Sequence, residues 1–142
     1  MKRDASIITY PGNEALARAL ADRGGDVAEV EVRAFPDGES YVRVLDDIQD
    51  RVVTIACTLH QPDSVFLRLA MMAHTARDLG ASRVELVAPY LPYMRQDERF
   101  HPGEGVTSIY FAQMLSDLFD ALVTVDPHLH RWECLEDLYS LE

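Results

Sequence analysis

The sequence is short of cysteine, of basic residues and of long apolar runs, and each shortage removes a class of protein. Two cysteines, Cys57 and Cys134, stand far apart without metal-type spacing. That excludes a Cys-pair zinc site, argues against a disulfide framework, and fits buried, reduced thiols in a cytoplasmic protein. Lys and Arg number 13 against 24 Asp and Glu, a formal net charge of -11. Nucleic acid is thereby excluded as a bulk partner, since that affinity depends on many cations neutralising phosphates. Any anionic ligand has to be held by a local cluster. The chain opens on Met1-Lys2-Arg3-Asp4-Ala5 and runs straight into a short strand-like segment, so neither a signal peptide nor a membrane span is expected. A Walker-type Gly-rich lysine loop and an HExxH pair are also missing, which leaves a P-loop or zinc enzyme without support.

What is present is a regular alternation. At 142 residues and 48% hydrophobic content the chain suits one domain with a real core. Residues 6–10 read as a strand, and residues 13–23 (NEALARALADR) as a helix capped by Asn13 with Leu16, Ala17, Ala19 and Leu20 inward. Residues 27–33 (VAEVEVR) and 41–45 (YVRVL) alternate apolar with polar about a Pro36-Asp37-Gly38 turn, which predicts a hairpin or flap. Residues 52–57 read as a central strand and 64–79 as a long helix with Val65, Leu69, Met72, Ala73 and Ala76 inward. A mostly apolar strand at 84–88, a helix at 107–118 with Thr107 as its cap, a strand at 121–125 and a helical stretch from Trp132 complete the pattern. The expected fold is α/β, with a mainly parallel sheet flanked by helices and a small β-hairpin flap.

Two loops leave the ends of predicted strands loaded with polar groups. Residues 89–105 (PYLPYMRQDERFHPGEG) break regular structure with prolines and glycines and fill the break with charge. A solvated surface loop is the plain reading, but the carboxyl end of a buried parallel strand is where open α/β sheets bind ligands. Residues 125–131 (VDPHLHR) put an aspartate and two histidines after the next strand. Taken alone such a loop is more often a surface hydrogen-bond cluster than a metal site.

Phe35-Pro36-Asp37-Gly38-Glu39, the block Pro89-Tyr90-Leu91-Pro92-Tyr93-Met94-Arg95-Gln96-Asp97, and Val125-Asp126-Pro127-His128 together resemble, in order and spacing, the amino-terminal half of the ribose-phosphate diphosphokinases (phosphoribosyl pyrophosphate synthetases). The resemblance covers nearly the whole chain. The continuation Arg99-Phe100-His101-Pro102-Gly103-Glu104 and the Asp-Pro-His form resemble the archaeal-like branch. The implied reaction is attack of the anomeric hydroxyl of ribose 5-phosphate on the β-phosphorus of ATP, giving 5-phosphoribosyl 1-pyrophosphate and AMP, with magnesium. By the family pattern Arg95 and Gln96 contact ATP, Asp97 orients them or organises magnesium-bound water, and Arg99 adds to the phosphate site. The plain reading of Arg99 is a surface charge paired with Glu98 or Glu104. His128 matches the magnesium-associated histidine, an unusual ligand for an oxygen-seeking ion. Asp126 is a candidate to support it, and His130 is read as a loop residue. Phe35, Asp37, Gly38 and Glu39 form a flap that reaches the adenine of a neighbouring subunit, so the resemblance also implies a homo-oligomer.

The family's ribose-5-phosphate loop, pyrophosphate loop and flexible catalytic loop belong to a later half, and none follows Glu142. The resemblance therefore implies that residues 1–142 are the ATP-binding domain without its carboxyl-terminal partner, carrying no catalytic residue of its own and inactive alone. A non-catalytic regulatory or assembly relative is the alternative, and a stand-alone phosphoribosyltransferase a more distant one.

Overall fold

A computed structural model of the chain describes residues 4–142; the reading of Met1-Lys2-Arg3 lies outside the described residues. Strands β1 (Ala5–Thr9), β2 (Asp26–Val27), β5 (Val52–Ala56), β6 (Arg83–Val87) and β7 (Ala121–Val123) pair in parallel in the order β2-β1-β5-β6-β7. Helices α1 (Glu14–Ala21), α2 (Pro62–Asp78) and α3 (Thr107–Leu118) form the crossovers. Strands β3 (Val30–Ala34) and β4 (Ser40–Val44) make a separate antiparallel hairpin, with Val32 opposite Val42. This is the α/β fold, parallel sheet and flap expected from the alternation.

Side-chain alternation along the strands sorts the core into two layers. Ile8, Val53, Ile55, Val84 and Leu86 are buried with Leu69 and Met72 of α2 and Phe111 and Leu115 of α3. Ile7 and Ala56 point the other way and meet Ala17, Leu16 and Leu20 of α1. The chain steps outward from β1 to β2 in one direction and from β5 to β7 in the other, so right-handed crossovers put α1 and α2/α3 on opposite faces. Truncating a side chain such as Leu69, fully buried, costs about 2–5 kcal/mol for lost burial plus the cavity left.

Several expectations are corrected. Asn13 occupies the position before α1 but does not cap it with its side chain. Its Oδ1 accepts from Thr58 N–H at 2.7 Å and its Nδ2 donates to the Tyr10 carbonyl at 3.2 Å, tying β1's exit to β5's exit where the strand order reverses. Ala19 is exposed. The run 27–33 is split, because Ala28 N–H donates to Ile7 O and carries β2 on the main sheet before the hairpin begins. β6 is half-buried: Arg83 and Glu85 pair on its second face at 2.8 Å. Thr107 is the first helical residue of α3, with Val106 before it and no side-chain cap. The stretch after Trp132 makes only a three-residue 3-10 turn, Leu135–Asp137, because the Asp137 carboxylate accepts from the Glu133 and Cys134 N–H groups and closes the turn on itself. Both cysteines are free, but only Cys57 is buried; Cys134 is exposed. Among the described residues no helix is long and apolar enough to cross a membrane.

Candidate functional site

Parallel strands deliver their exits to one edge of the sheet, and the exits of β6 and β7 are neighbours there. Between them lies a cleft of about 570 Å³. One wall comes from the loop after β6, with Tyr90, Met94, Arg95 and Gln96, and the other from the loop after β7, with Val125, Asp126, Pro127 and His128. Thr107 also lines it, which sets the positive end of α3 at the cleft. A guanidinium, an amide, a helix N-terminus and an imidazole face one space, an arrangement suited to a polyanion.

The loop after β6 is held by strain and by carboxylates. Tyr93 has φ 62°, a left-handed backbone that costs a bulky residue energy. Its ring packs on Phe111 at 4.9 Å between centroids, and its hydroxyl donates to the Asp63 carboxylate at the start of α2. That hydrogen bond raises the phenol's pKa. Two residues on, Arg95 is exposed and has no ion-pair partner among the described residues. Gln96 is half-buried, its carbonyl accepting from Ser108 N–H and its amide nitrogen donating to Glu104 at 3.4 Å. Glu104 organises the rest of the loop: it accepts from Phe100 N–H at 2.9 Å and His101 N–H at 3.2 Å and pairs with His101 Nδ1 at 2.8 Å. The bond from His101, first among these, holds its carboxyl below the usual range.

Asp97 does not face the cleft. Its side chain is 3% exposed and lies 3.3 Å from Arg131 Nε, while another nitrogen of the same guanidinium pairs with Glu98. Arg99 is exposed, lines neither this cleft nor its neighbour, and pairs with neither Glu98 nor Glu104. His128 is exposed with its ring stacked on that of His130 at 5.8 Å and 19°. Asp126 takes φ 46° just before Pro127, a conformation that Asp tolerates better than most residues. Among the described residues no group of three His, Cys, Asp or Glu side chains could hold a metal ion. Asp126 and His128 line one wall of the cleft and offer a carboxylate and an imidazole, so any magnesium there would draw most of its ligands from water and phosphate oxygens.

Phe35, Asp37, Gly38 and Glu39 sit at the hairpin tip and do not line the cleft. Gly38 N–H donates to Phe35 O, Phe35 N–H to Glu39 O, and Gly38 takes φ 93°, the left-handed position that closes a three-residue hairpin loop. Asp37 Oδ1 accepts from Glu39 N–H at 3.1 Å, so one carboxylate oxygen serves the turn. The Arg33 guanidinium lies 4.1 Å from the Tyr41 centroid and 5.1 Å from that of Phe35, whose ring remains 40% exposed.

A second cleft of about 400 Å³ opens between α2 and α3, lined by Phe66, Leu67, Tyr110, Phe111 and Met114 and sharing Tyr93 and Thr107 with the first. It carries no cation, whereas the β6–β7 cleft has Arg95. Sequence reasoning assigned no role to Tyr93's backbone, to Glu104 as the loop's organiser, or to Arg131. Their partners are distant in the chain or lie in turns whose geometry no spacing rule encodes.

Residues 5–118 match the family model described as the N-terminal domain of ribose phosphate pyrophosphokinase. The chain is 41% identical over 118 residues to the ribose-phosphate pyrophosphokinase of Saccharolobus solfataricus, covering 82% of this chain and 40% of that protein. It is 34% identical over 137 residues to that of Methanobrevibacter smithii, covering 95% and 45%. Both are archaeal, the direction in which the Arg99 to Glu104 continuation pointed. The crystal structure of phosphoribosylpyrophosphate synthetase from Mycobacterium smegmatis superposes with a TM-score of 0.81 at 20% identity, over 98% of this chain and 47% of that one. The chain thus spans less than half the length of these relatives. Its three motif stretches, its sheet order and these matches agree: the chain belongs to the ribose-phosphate pyrophosphokinase family and corresponds over residues 5–118 to that family's N-terminal domain.

Proposed function

We propose that this chain is the ATP-holding half of an enzyme that transfers pyrophosphate from ATP to ribose 5-phosphate, working in the cytoplasm as a homo-oligomer. In that reaction the sugar's C1 hydroxyl oxygen bonds to the β-phosphorus, the bond from the β-phosphorus to the oxygen it shares with the α-phosphorus breaks, AMP leaves with that oxygen, and the hydroxyl proton is released to solvent. The observation that carries the reading is the ion-pair-free Arg95 beside Gln96, facing Asp126 and His128 across one cleft. Arg95 would grip the phosphate chain with charge-assisted hydrogen bonds, the side-chain amide of Gln96 would add a neutral polar contact, and the N-terminus of α3 would add to the positive field. Magnesium, held by His128 with Asp126 nearby, would neutralise charge on the transferred group. Phe35, Asp37 and Glu39 would serve a neighbour's adenine, consistent with their distance from this cleft's walls. Arg99 would meet phosphate only after a change in the loop. The relatives are about twice as long, so turnover is expected from a complete enzyme and not from this chain alone.

Calorimetric titration with Mg-ATP tests the proposal. The chain should bind Mg-ATP more tightly than adenosine, and Arg95→Ala should weaken Mg-ATP by about tenfold, the loss of one charged hydrogen bond. Absence of binding, or equal affinity in the variant, would remove the cleft from the nucleotide site.

A further inference from the structure

Directly behind the phosphate cleft, one side chain joins its two walls. Arg131 lies three residues after His128, on the loop after β7, and reaches Asp97 and Glu98, which follow Arg95 and Gln96 on the loop after β6. Neither Arg131 nor Asp97 lines the cleft. Among the described residues these are the only ion pairs between the two loops. The other bonds of Gln96 are long and stay within its own side of the cleft: its N–H to Tyr93 O and Ser108 N–H to its carbonyl are both 3.3 Å.

We infer that Arg131 is a positioning residue that straps the wall carrying Arg95 and Gln96 to the wall carrying Asp126 and His128, fixing the span across which a magnesium-bearing polyphosphate is gripped. The inference rests on the proposed nucleotide site. Its physical basis is twofold. A carboxylate as buried as that of Asp97 needs a cation, and Arg131 supplies one. Two carboxylates on consecutive residues also call for a cation with donors in a fixed fork, which arginine has and lysine lacks. With the strap in place the loops are ordered before the ligand arrives, so binding does not have to spend free energy ordering them. Arg131 acts through the loop and not by touching phosphate, and that distinction can be measured.

The experiment compares Mg-ATP titrations of the wild-type chain, Arg131→Ala, Arg131→Lys, Arg95→Ala and the Arg95→Ala/Arg131→Ala pair, with amide hydrogen exchange on each ligand-free protein. Arg131→Ala should weaken Mg-ATP about tenfold in the wild-type background but less than about threefold once Arg95 is gone, since coupled groups are non-additive. Arg131→Lys should recover only part of the loss. Exchange should speed up at residues 94–98 in Arg131→Ala and stay unchanged in β5. If Arg131→Ala fails to fold because Asp97 is left charged and unpaired, Asp97→Asn/Arg131→Ala removes that charge while keeping the strap broken, and should show the same weak binding and fast exchange. Equal losses in both backgrounds would make Arg131 a direct phosphate contact, and unchanged exchange would mean that it orders nothing; either result overturns the strap. If the wild-type chain bound no Mg-ATP, the nucleotide site would fall, and the strap as a device for gripping a ligand would fall with it, whereas the exchange data would still say whether Arg131 orders the loop.

Discussion

Cys57 shows at the residue scale what burial does to a titratable group. The thiol is fully buried behind β5, and removal from water pushes its pKa from 9.0 up to about 12. The folded protein keeps this proton while the unfolded chain gives it up, so the contribution to stability is whole below pH 9.0 and is lost as pH rises toward 12. Burial also raises the phenols of Tyr139 and Tyr10, which adds to the alkaline loss. The melting temperature should therefore fall above pH 9, with a shallower slope in Cys57→Ala. A thiol reagent at neutral pH should label Cys134 at once and Cys57 only on unfolding; two fast thiols would contradict the burial. The motifs singled out Arg95, Gln96 and His128 in the sequence, and the structure brings these three to one cleft. Residues were not legible where function comes through space: the Asp97–Arg131 contact joins positions far apart in the chain, and nothing in either neighbourhood marks the partner. Arg131 stands outside the motif blocks, and only its two ion pairs in the folded chain connect it to the loop after β6.

At the scale of elements, periodicity did most of the work. The bounds of α3 agree with its apolar spacing, and every main-sheet strand except the two-residue β2 was visible as an apolar run. Failures occurred where a side-chain hydrogen bond competes with the expected role: Asn13 commits its Oδ1 to Thr58, far along the chain, and Asp137 folds back locally on Glu133 and Cys134. The hairpin was legible from its turn, whereas its use came only from the family resemblance, because no pattern of residues marks what an exposed ring at a turn meets. Phe35 packs against Arg33 and meets Tyr41 edge-on at 5.6 Å, so the tip presents a partly exposed aromatic surface to solvent. If it serves a neighbouring molecule, the chain should associate at millimolar concentration, and Phe35→Ala should weaken the association. Sedimentation over a concentration series reads this directly. A chain that stays monomeric at the highest concentration would detach the flap from any shared site.

For the whole molecule, a net charge of -11 repels a nucleotide at long range, so the proposed binding would depend on the local field at the carboxyl ends of β6 and β7. The sheet brings those two exits side by side, Arg95 lines the space between them, and Arg131 pairs with Asp97 and Glu98 outside it. Amide-resolved NMR during a Mg-ATP titration tests this arrangement most directly. The first and largest shifts should fall on Arg95, Gln96, Asp126 and His128, with the apolar cleft between α2 and α3 affected only through Tyr93 and Thr107. Shifts centred on Phe66, Tyr110 and Met114, or none at any residue, would contradict it.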